Sequence, residues 1–310
     1  MDTDHCLVSV CLCTYKRPQF LSDCLDSLLI QVFEKSFEII VTDNDCKRSA
    51  ELIIINKRTA FQGKMIPLTY LVEPIQNIAL ARNRCVASAK GQFVAFIDDD
   101  ERASVVWLQN LYHALVETNA CGACGPVIPE IPESFPLWMR RSGIFHRKNP
   151  MNGAMLQNSE FRTGNAIIRH ELLDSRTGPF NEELGKTGGE DSELFDWIKI
   201  HYANARFVWV TNAVVNERIE EQRKYLRWHI KRAYRGGWVY SKTLVRKYGL
   251  LQGMLRSTVR IIPSFLKACC LAAHNGKNIQ YAGFLILGNI STNMGKCGFF
   301  GGIKIEEYNG

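Results

Sequence analysis

The 310-residue chain has no apolar run long enough to span a bilayer. Its best candidate, residues 261–290, is interrupted by Lys267, His274, Asn275 and Lys277. A chain of this kind is expected to be soluble or to lie on a membrane surface, and not to cross one. No G-x-G-x-x-G follows the first apolar segment and no G-x-x-x-x-G-K-[ST] occurs anywhere, which argues against a dinucleotide dehydrogenase and a P-loop nucleotidase. The G-x-S-x-G of a serine hydrolase elbow is also missing. Nothing resembling a secretory leader opens the chain: Met1–Asp4 is acidic, and the first apolar run is too short for a leader core and a cleavage site. The eleven cysteines are odd in number and scattered, which reads as free, mostly buried thiols in a reducing cytosol. Cys121 and Cys124 form a lone C-x-x-C inside CGACGPVIP; a zinc site needs a second ligand pair, so a strand of small residues is expected there.

What is present is ordinary in amount and uneven in placement. Hydrophobic residues make up 46% and charged residues 22%, values of a globular protein with a sizeable core. Of a net charge of +7, residues 216–260 alone contribute +9, from twelve Lys/Arg and three Glu. One basic segment on a nearly neutral body suggests a local anionic partner such as phosphate, a membrane surface or nucleic acid.

The first half alternates apolar runs with helical patterns. Strands are expected at LVSVCLC (7–13), FEIIVTD (37–43), LTYLVE (68–73) and FVAFID (93–98), with helices from Pro18, over 47–58, over 77–90 and over 104–118. Continuous apolar strands separated by helices imply an α/β fold with a mostly parallel sheet covered on both faces. Ligands bind beyond the carboxyl ends of such strands, where Thr14–Pro18, Asp43–Asp45 and Asp98–Glu101 fall. Residues 129–162, rich in Pro, Arg and aromatics, read as a long functional loop region. Further strands are expected in FRTGNAIIRH (161–170) and ARFVWVTNAVV (205–215), with GKTGGEDSELFDWIKI (185–200) a Gly-rich loop entering a helix. After Asn216 the pattern is a basic amphipathic helix, and after about residue 250 it is apolar and irregular.

Asp98, Asp99, Asp100 and Glu101 are the strongest chemical signal. Four consecutive carboxylates repel one another unless a cation is present, and hard oxygen ligands suit Mg²⁺ or Mn²⁺ bridging to substrate phosphates. A solvated acidic turn that caps a helix is the plain alternative. Asp43-Asn44-Asp45 is either an Asx turn or a carboxylate that hydrogen-bonds a base or ribose. Arg82, in the helix before the acidic strand, is a surface charge or a bidentate partner for carboxylate or diphosphate. Glu190 and Asp191 follow Gly188-Gly189, and either complement a helix dipole or offer a general base. Arg227, Arg232 and Arg235 in the basic helix are a solvated face or a clamp on a leaving diphosphate.

In order, VSVCLCTYKRP, IIVTDND, NIALARN, GQFVAFIDDDE, TGNAIIRH and GGEDSELF resemble the family 2 glycosyltransferases, inverting enzymes of the GT-A fold, over about residues 7–240. Among these the chain is similar to non-processive bacterial enzymes that extend exopolysaccharide, capsule or lipopolysaccharide repeats. The resemblance implies a Rossmann-like sheet sandwiched by helices. It implies a catalytic domain over 1–215, with a nucleotide-binding half about 1–125 and an acceptor half about 126–215, and a basic and apolar helical extension over 216–310. By the same resemblance Thr14, Tyr15, Arg17, Asp43, Arg82, Asp98 and Asp99 hold the nucleotide, and Asp98 and Asp100 the metal, Mn²⁺ or Mg²⁺. Gly164 and Asn165 lie beside the sugars. Asp191 is the general base, with Glu190 the fallback, and Arg227, Arg232 and Arg235 are guesses for the diphosphate. Ala79 stands where the family often has Gly, and Gln222 with Arg227-Trp228 lacks the spacing of the processive synthases' Q-x-x-R-W box.

The activity so implied is hexosyl transfer from a nucleotide-diphosphate sugar, a UDP-hexose by prior, to a glycan or polyprenyl-diphosphate-linked acceptor. It would proceed by inverting single displacement in surface polysaccharide synthesis. The expected location is the cytoplasm, peripheral to the inner face of the cytoplasmic membrane, and no nucleic-acid partner is expected. Two other classes stay open on the residues alone: a sugar-phosphate nucleotidyltransferase, which usually carries a Gly/Arg/Lys-rich phosphate loop that TYKRP matches poorly, and a non-catalytic membrane-surface binding module, which leaves the aspartates unexplained.

Overall fold

A computed structural model describes residues 6–157, 160–276 and 278–303; Met1–Asp4 and Lys277, invoked above, lie outside the described residues. The chain divides into two units, Met1–Glu130 with His146–Arg218 and Ile131–Phe145 with Ile219–Gly310. Residues 131–145, assigned on sequence to the acceptor half, thus group with the C-terminal helices.

The first unit opens with β1 (Val8–Thr14), α1 (Pro18–Leu29), β2 (Phe37–Asp43), α2 (Glu51–Gly63), β3 (Leu68–Val72), α3 (Ile78–Ser88), β4 (Phe93–Asp98), β5 (Glu101–Ala103), α4 (Trp107–Thr118), β6 (Gly122–Cys124) and β7 (Val127–Glu130). After α5 (Leu137–Arg141), which belongs to the second unit, come β8 (Asn165–Arg169), α6 (His170–Asp174), α7 (Glu190–His201), β9 (Phe207–Trp209) and β10 (Val215–Arg218). A seven-stranded sheet runs β3-β2-β1-β4-β8-β6-β9, and a small second sheet runs β5-β10-β7. In the large sheet only β8 is antiparallel to its neighbours, so the expected mostly parallel α/β architecture is found.

Helices cover both faces because the central strands are apolar on both. Val10 and Leu12 face a layer containing Leu21, Leu25 and Leu28 of α1 and Trp107 of α4, all at 0% exposure. Cys11 and Phe96 face the opposite layer, with Cys85 of α3 and Phe195 of α7. Each such side chain contributes about 1.5–3 kcal/mol on burial.

Register determines what lines the carboxyl edge. Thr14 pairs with Asp43, and its neighbour Cys13 pairs with Asp98. The ends of three adjacent parallel strands therefore deliver these residues side by side. Because β8 runs the other way, Asn165 at its start lies opposite Ile97, and Gly164 reaches the same edge.

Three expectations need correction. The second helix starts at Glu51 and ends at Gly63, not at 47–58, because residues 45–50 loop around the Asp43 carboxylate. The runs 121–129 and 205–215 are not single strands. Each splits between the two sheets, as β6 with β7 and β9 with β10, at Gly125-Pro126 and at Thr211–Val214. After Asn216 the chain is still strand as far as Arg218, and the basic helix starts only at Leu226.

The second unit is helical. To α5 it adds α8 (Leu226–Tyr248), α9 (Leu250–Thr258), α10 (Ile261–His274) and α11 (Ile279–Phe300); the stretch after residue 250, read as irregular, is regular helix. Small residues set its packing. A Cβ at Gly237 would overlap the Thr292 carbonyl, and one at Gly295 would overlap the Tyr234 carbonyl, so α8 and α11 touch backbone to backbone. Ser241 and Ser257 share a buried hydrogen bond of 2.6 Å, and Lys296 Nζ donates to Asn293 at 3.0 Å. No described helix is long and apolar enough to cross a membrane.

Candidate active site

The acidic turn is held from both sides. Thr14 Oγ1 donates to Asp99 at 2.8 Å, and Arg17 reaches Asp99 at 3.3 Å and Asp100 at 3.5 Å. The Asp98 backbone N–H donates to Glu101 at 3.1 Å, and the Asp100 carbonyl accepts from Arg218 N at 2.9 Å. Asp99, Asp100 and Glu101 are buried, whereas the Asp98 side chain is 48% exposed. Burial, against the pull of Arg17, raises the Asp99 carboxyl to about 6. Burial and then the Asp99 and Asp98 charges raise Asp100 to about 7. Burial and the charges of Asp98 and Asp100 hold Glu101 well above the carboxylate range. Glu217 of β10 pairs in register with Glu101 and adds a fifth acid, balanced by Arg147 at 3.0 Å.

Crowded hard oxygens that resist ionisation are a donor set suited to Mg²⁺ or Mn²⁺. Among the described residues, no three His, Cys, Asp or Glu form a ready-made cage. That is compatible with a cation that takes only one or two protein carboxylates and completes its shell with phosphate and water. Gly164 permits this crowding: a Cβ there would stand 2.8 Å from Asp98 Oδ2 and 2.9 Å from Glu101.

Asp43 is fully engaged. It accepts from Asp45 N at 3.0 Å, Ser49 Oγ at 3.5 Å, Ala50 N at 2.7 Å and Tyr70 Oη at 3.0 Å, and its exposure is 0%. Its observed work is to shape the 45–50 loop. Tyr15 is half-buried, with the Lys16 ammonium 4.8 Å from its ring centre. Asn165 likewise has its amide engaged, accepting from Trp107 Nε1 at 2.8 Å and donating to the Pro126 and Ala213 carbonyls at 3.0 and 2.7 Å. It ties β8 to the junction between the sheets.

Gly188 and Gly189 have φ of +84° and +97°, a region that glycine enters without penalty. They turn the chain so that α7 starts with Glu190 against Arg82 of α3. This is a buried ion pair, and the same guanidinium reaches Asp98 at 3.5 Å. Burial pushes Arg82 down, but Glu190 and Asp98 outweigh it and keep the guanidinium charged. Burial pushes the Glu190 carboxyl up while Arg82 pulls it back, and Glu190 Oε2 is buried with no hydrogen-bond partner. Asp191 differs: it is partly exposed and accepts from the Ser192 N–H at 2.7 Å.

Thr14, Arg17, Arg82, Asp98, Asp99, Asp100, Gly164 and Glu190 are thus joined in one connected site. Arg227, Arg232 and Arg235 lie on α8 in the second unit, where Arg227 stacks on Tyr225 and Arg232 on Trp228. Sequence reasoning missed Glu217, Arg147 and Arg162, whose relevance depends on where β10 inserts. It also missed Asn44 and Asn77, which brace the loops: Asn77 N donates to Asn44 at 2.8 Å, and Asn77 caps α3.

The profile of the family described as Glycosyl transferase family 2 matches residues 9–176. The chain belongs to that family. It is 35% identical over 251 residues to the succinoglycan biosynthesis protein ExoM of Rhizobium meliloti (strain 1021), covering 79% of this chain and 78% of that protein. Its fold is similar to that of the mannosyltransferase PcManGT from Pyrobaculum calidifontis in complex with GDP-Man and Mn²⁺, with TM-score 0.63, 17% identity and coverage of 97% and 89% of the two chains. It is also similar to S. aureus TarS in complex with UDP-GlcNAc, with TM-score 0.55, 16% identity and coverage of 96% and 92%. The protein is therefore a glycosyltransferase of GT-A fold, and the nucleotidyltransferase and non-catalytic readings fall away.

Proposed function

We propose that this glycosyltransferase moves a hexose from a nucleotide-diphosphate sugar to a growing bacterial surface glycan, with inversion at the anomeric carbon. The observation that carries the reading is a partly exposed Asp98 and a buried Asp100 at one strand edge, joined through Arg82 to the start of the helix that carries Asp191. The likeness to a succinoglycan biosynthesis protein supports the glycan acceptor. The GDP-Man, UDP-GlcNAc and Mn²⁺ of the structural neighbours support a nucleotide-sugar donor and a divalent cation.

In the mechanism, Asp98 and Asp100 would hold Mn²⁺ or Mg²⁺, which would supply charge neutralisation to the leaving diphosphate. Arg17 and Thr14 fix Asp99 and so the direction of the acidic turn. Arg82 orients Asp98 and carries positive charge at the nucleotide site. Asp191 accepts the acceptor hydroxyl's proton as that oxygen attacks the anomeric carbon and the bond to the diphosphate breaks. One displacement inverts the centre, so an α-linked donor gives a β-linked product. NMR of the glycosidic linkage formed from an α-linked nucleotide-sugar donor tests this: a β linkage is expected, and an α linkage would sink the single-displacement mechanism.

The second unit supplies a surface for a lipid-linked acceptor. Leu251 is 83% exposed and Ile262 71%, with Leu255, Val259 and Leu266 also bare. Arg246, Lys247, Arg256, Arg260 and Lys267 are interspersed among them in sequence. Apolar side chains among basic ones suit an anionic leaflet, where a polyprenyl-diphosphate sugar is presented.

A further inference from the structure

A cleft of about 310 Å³ opens in the first unit, and its walls include Arg147, Lys148, Glu160, Arg162, Asn165 and Trp209. Its polar groups are unevenly matched. The Asn165 amide is engaged at both ends, and Glu160 accepts from Gln157 N at 2.8 Å. Arg147 is paired with Glu217 at 3.0 Å. Apart from the second Glu160 carboxylate oxygen, the side-chain groups left over are donors. Trp209, 5% exposed, has an indole N–H that is buried without a partner. Arg162 and Lys148 are exposed as residues and form no salt bridge with any carboxylate among the described residues, although burial and then the Arg147 charge push the Arg162 guanidinium's pKa down. Arg162 also lies within electrostatic reach of Asp191 and Glu217. Two of the cleft's cations thus connect it to the candidate site, Arg162 through the charges of Asp191 and Glu217 and Arg147 through its ion pair with Glu217.

A sugar hydroxyl donates as well as accepts, whereas an oxyanion only accepts and makes stronger, charge-assisted hydrogen bonds with guanidinium and ammonium groups, so surplus N–H donors favour it. We infer that this cleft is the acceptor subsite and that the acceptor segment seated in it carries an anionic group, a carboxylate or a phosphate, held by Arg162 and Lys148. The inference rests on the glycosyltransferase reading above and adds the charge of its acceptor. Arg147 is a positioning residue here, fixed by Glu217, and its like charge directs the Arg162 guanidinium toward the ligand.

Ligand-observed NMR on the full chain, with and without Mn²⁺ and UDP, would compare glucose, glucuronate, glucose 6-phosphate and inorganic phosphate. The anionic sugars should bind about tenfold tighter than glucose or more, the worth of one charge-assisted hydrogen bond. That preference should vanish in R162Q and weaken in K148Q. Both positions are exposed, so the variants should fold, and UDP affinity checks that they have. Whichever of glucuronate and glucose 6-phosphate binds better names the anion as carboxylate or phosphate. Equal binding of glucose would overturn the inference. So would inorganic phosphate binding as tightly as either anionic sugar, or a preference that survives both substitutions. Failure of the broader reading registers separately, as absence of metal-dependent UDP binding to the unsubstituted chain.

Discussion

Arg82 of α3 and Glu190 of α7 form an ion pair in which the side chains are only 10% and 8% exposed, 108 residues apart in sequence. The pair joins the helix that precedes the acidic strand to the helix whose first turn carries the candidate base Asp191. Removing either partner strands a buried charge. R82Q and E190Q should each destabilise the protein by about 3–5 kcal/mol. The double variant should be less unstable than the sum, with a coupling of about 1–3 kcal/mol. Urea unfolding of the four proteins measures this, and strict additivity would mean that the pair does not act as a unit.

The adjacent acids should separate by role. Glu190 is engaged by Arg82, whereas Asp191 is partly exposed with one oxygen on the Ser192 N–H. D191N should reduce kcat by about 10²–10⁴, the usual worth of a general base, and leave nucleotide affinity unchanged. Steady-state kinetics beside a nucleotide titration tests this, and near-normal turnover in D191N would remove Asp191 from the base role.

Metal binding should depend on pH in a stated direction. Asp99 and Asp100 titrate at about 6 and about 7 in the folded chain, and near 3.9 when unfolded. Between these limits the folded state binds more protons than the unfolded one, so this cluster's contribution to stability falls as pH rises through the window. A cation takes the place of those protons. Mn²⁺ should therefore raise Tm more at pH 7.5 than at pH 5.5. An equal or larger gain at pH 5.5 would place the ion elsewhere.

Much of this was legible in the sequence, and the exceptions have physical causes. FEIIVTD and FVAFID coincide with β2 and β4 residue for residue, because strands buried on both faces are unbroken apolar runs. The acids were visible because each follows such a run. The second sheet was not: β5, β7 and β10 are three or four residues long, and β10 pairs with β5 across more than 100 residues of chain. That pairing brings Glu217 to Glu101, so the fifth acid and its Arg147 partner were hidden with it. Helices α9–α11 escaped notice because they bury small residues, Gly253 and Ser257 in α9, Ala268 and Ala272 in α10 and Gly295 in α11, and leave large apolar ones such as Leu251 and Ile262 exposed, the reverse of the pattern by which a core-facing helix is read.

The exposed leucines of α9 should matter to membrane binding and not to folding. The protein should float with anionic liposomes more than with neutral ones, and less at high salt. A Leu251→Asp, Leu255→Asp variant should lose flotation while keeping its Tm. Equal recovery with both lipids, or none, would remove the anionic leaflet from the account.

The central claim is that Asp98 and Asp100 hold a divalent cation against the diphosphate of a nucleotide sugar. Calorimetric titration with UDP-glucose, UDP-galactose, UDP-GlcNAc and GDP-mannose, each with Mn²⁺ and with EDTA, tests it most directly. The account predicts binding of at least one donor that disappears in EDTA and is lost in D98N and in D100N. Donor binding that is indifferent to EDTA and to both substitutions would contradict it.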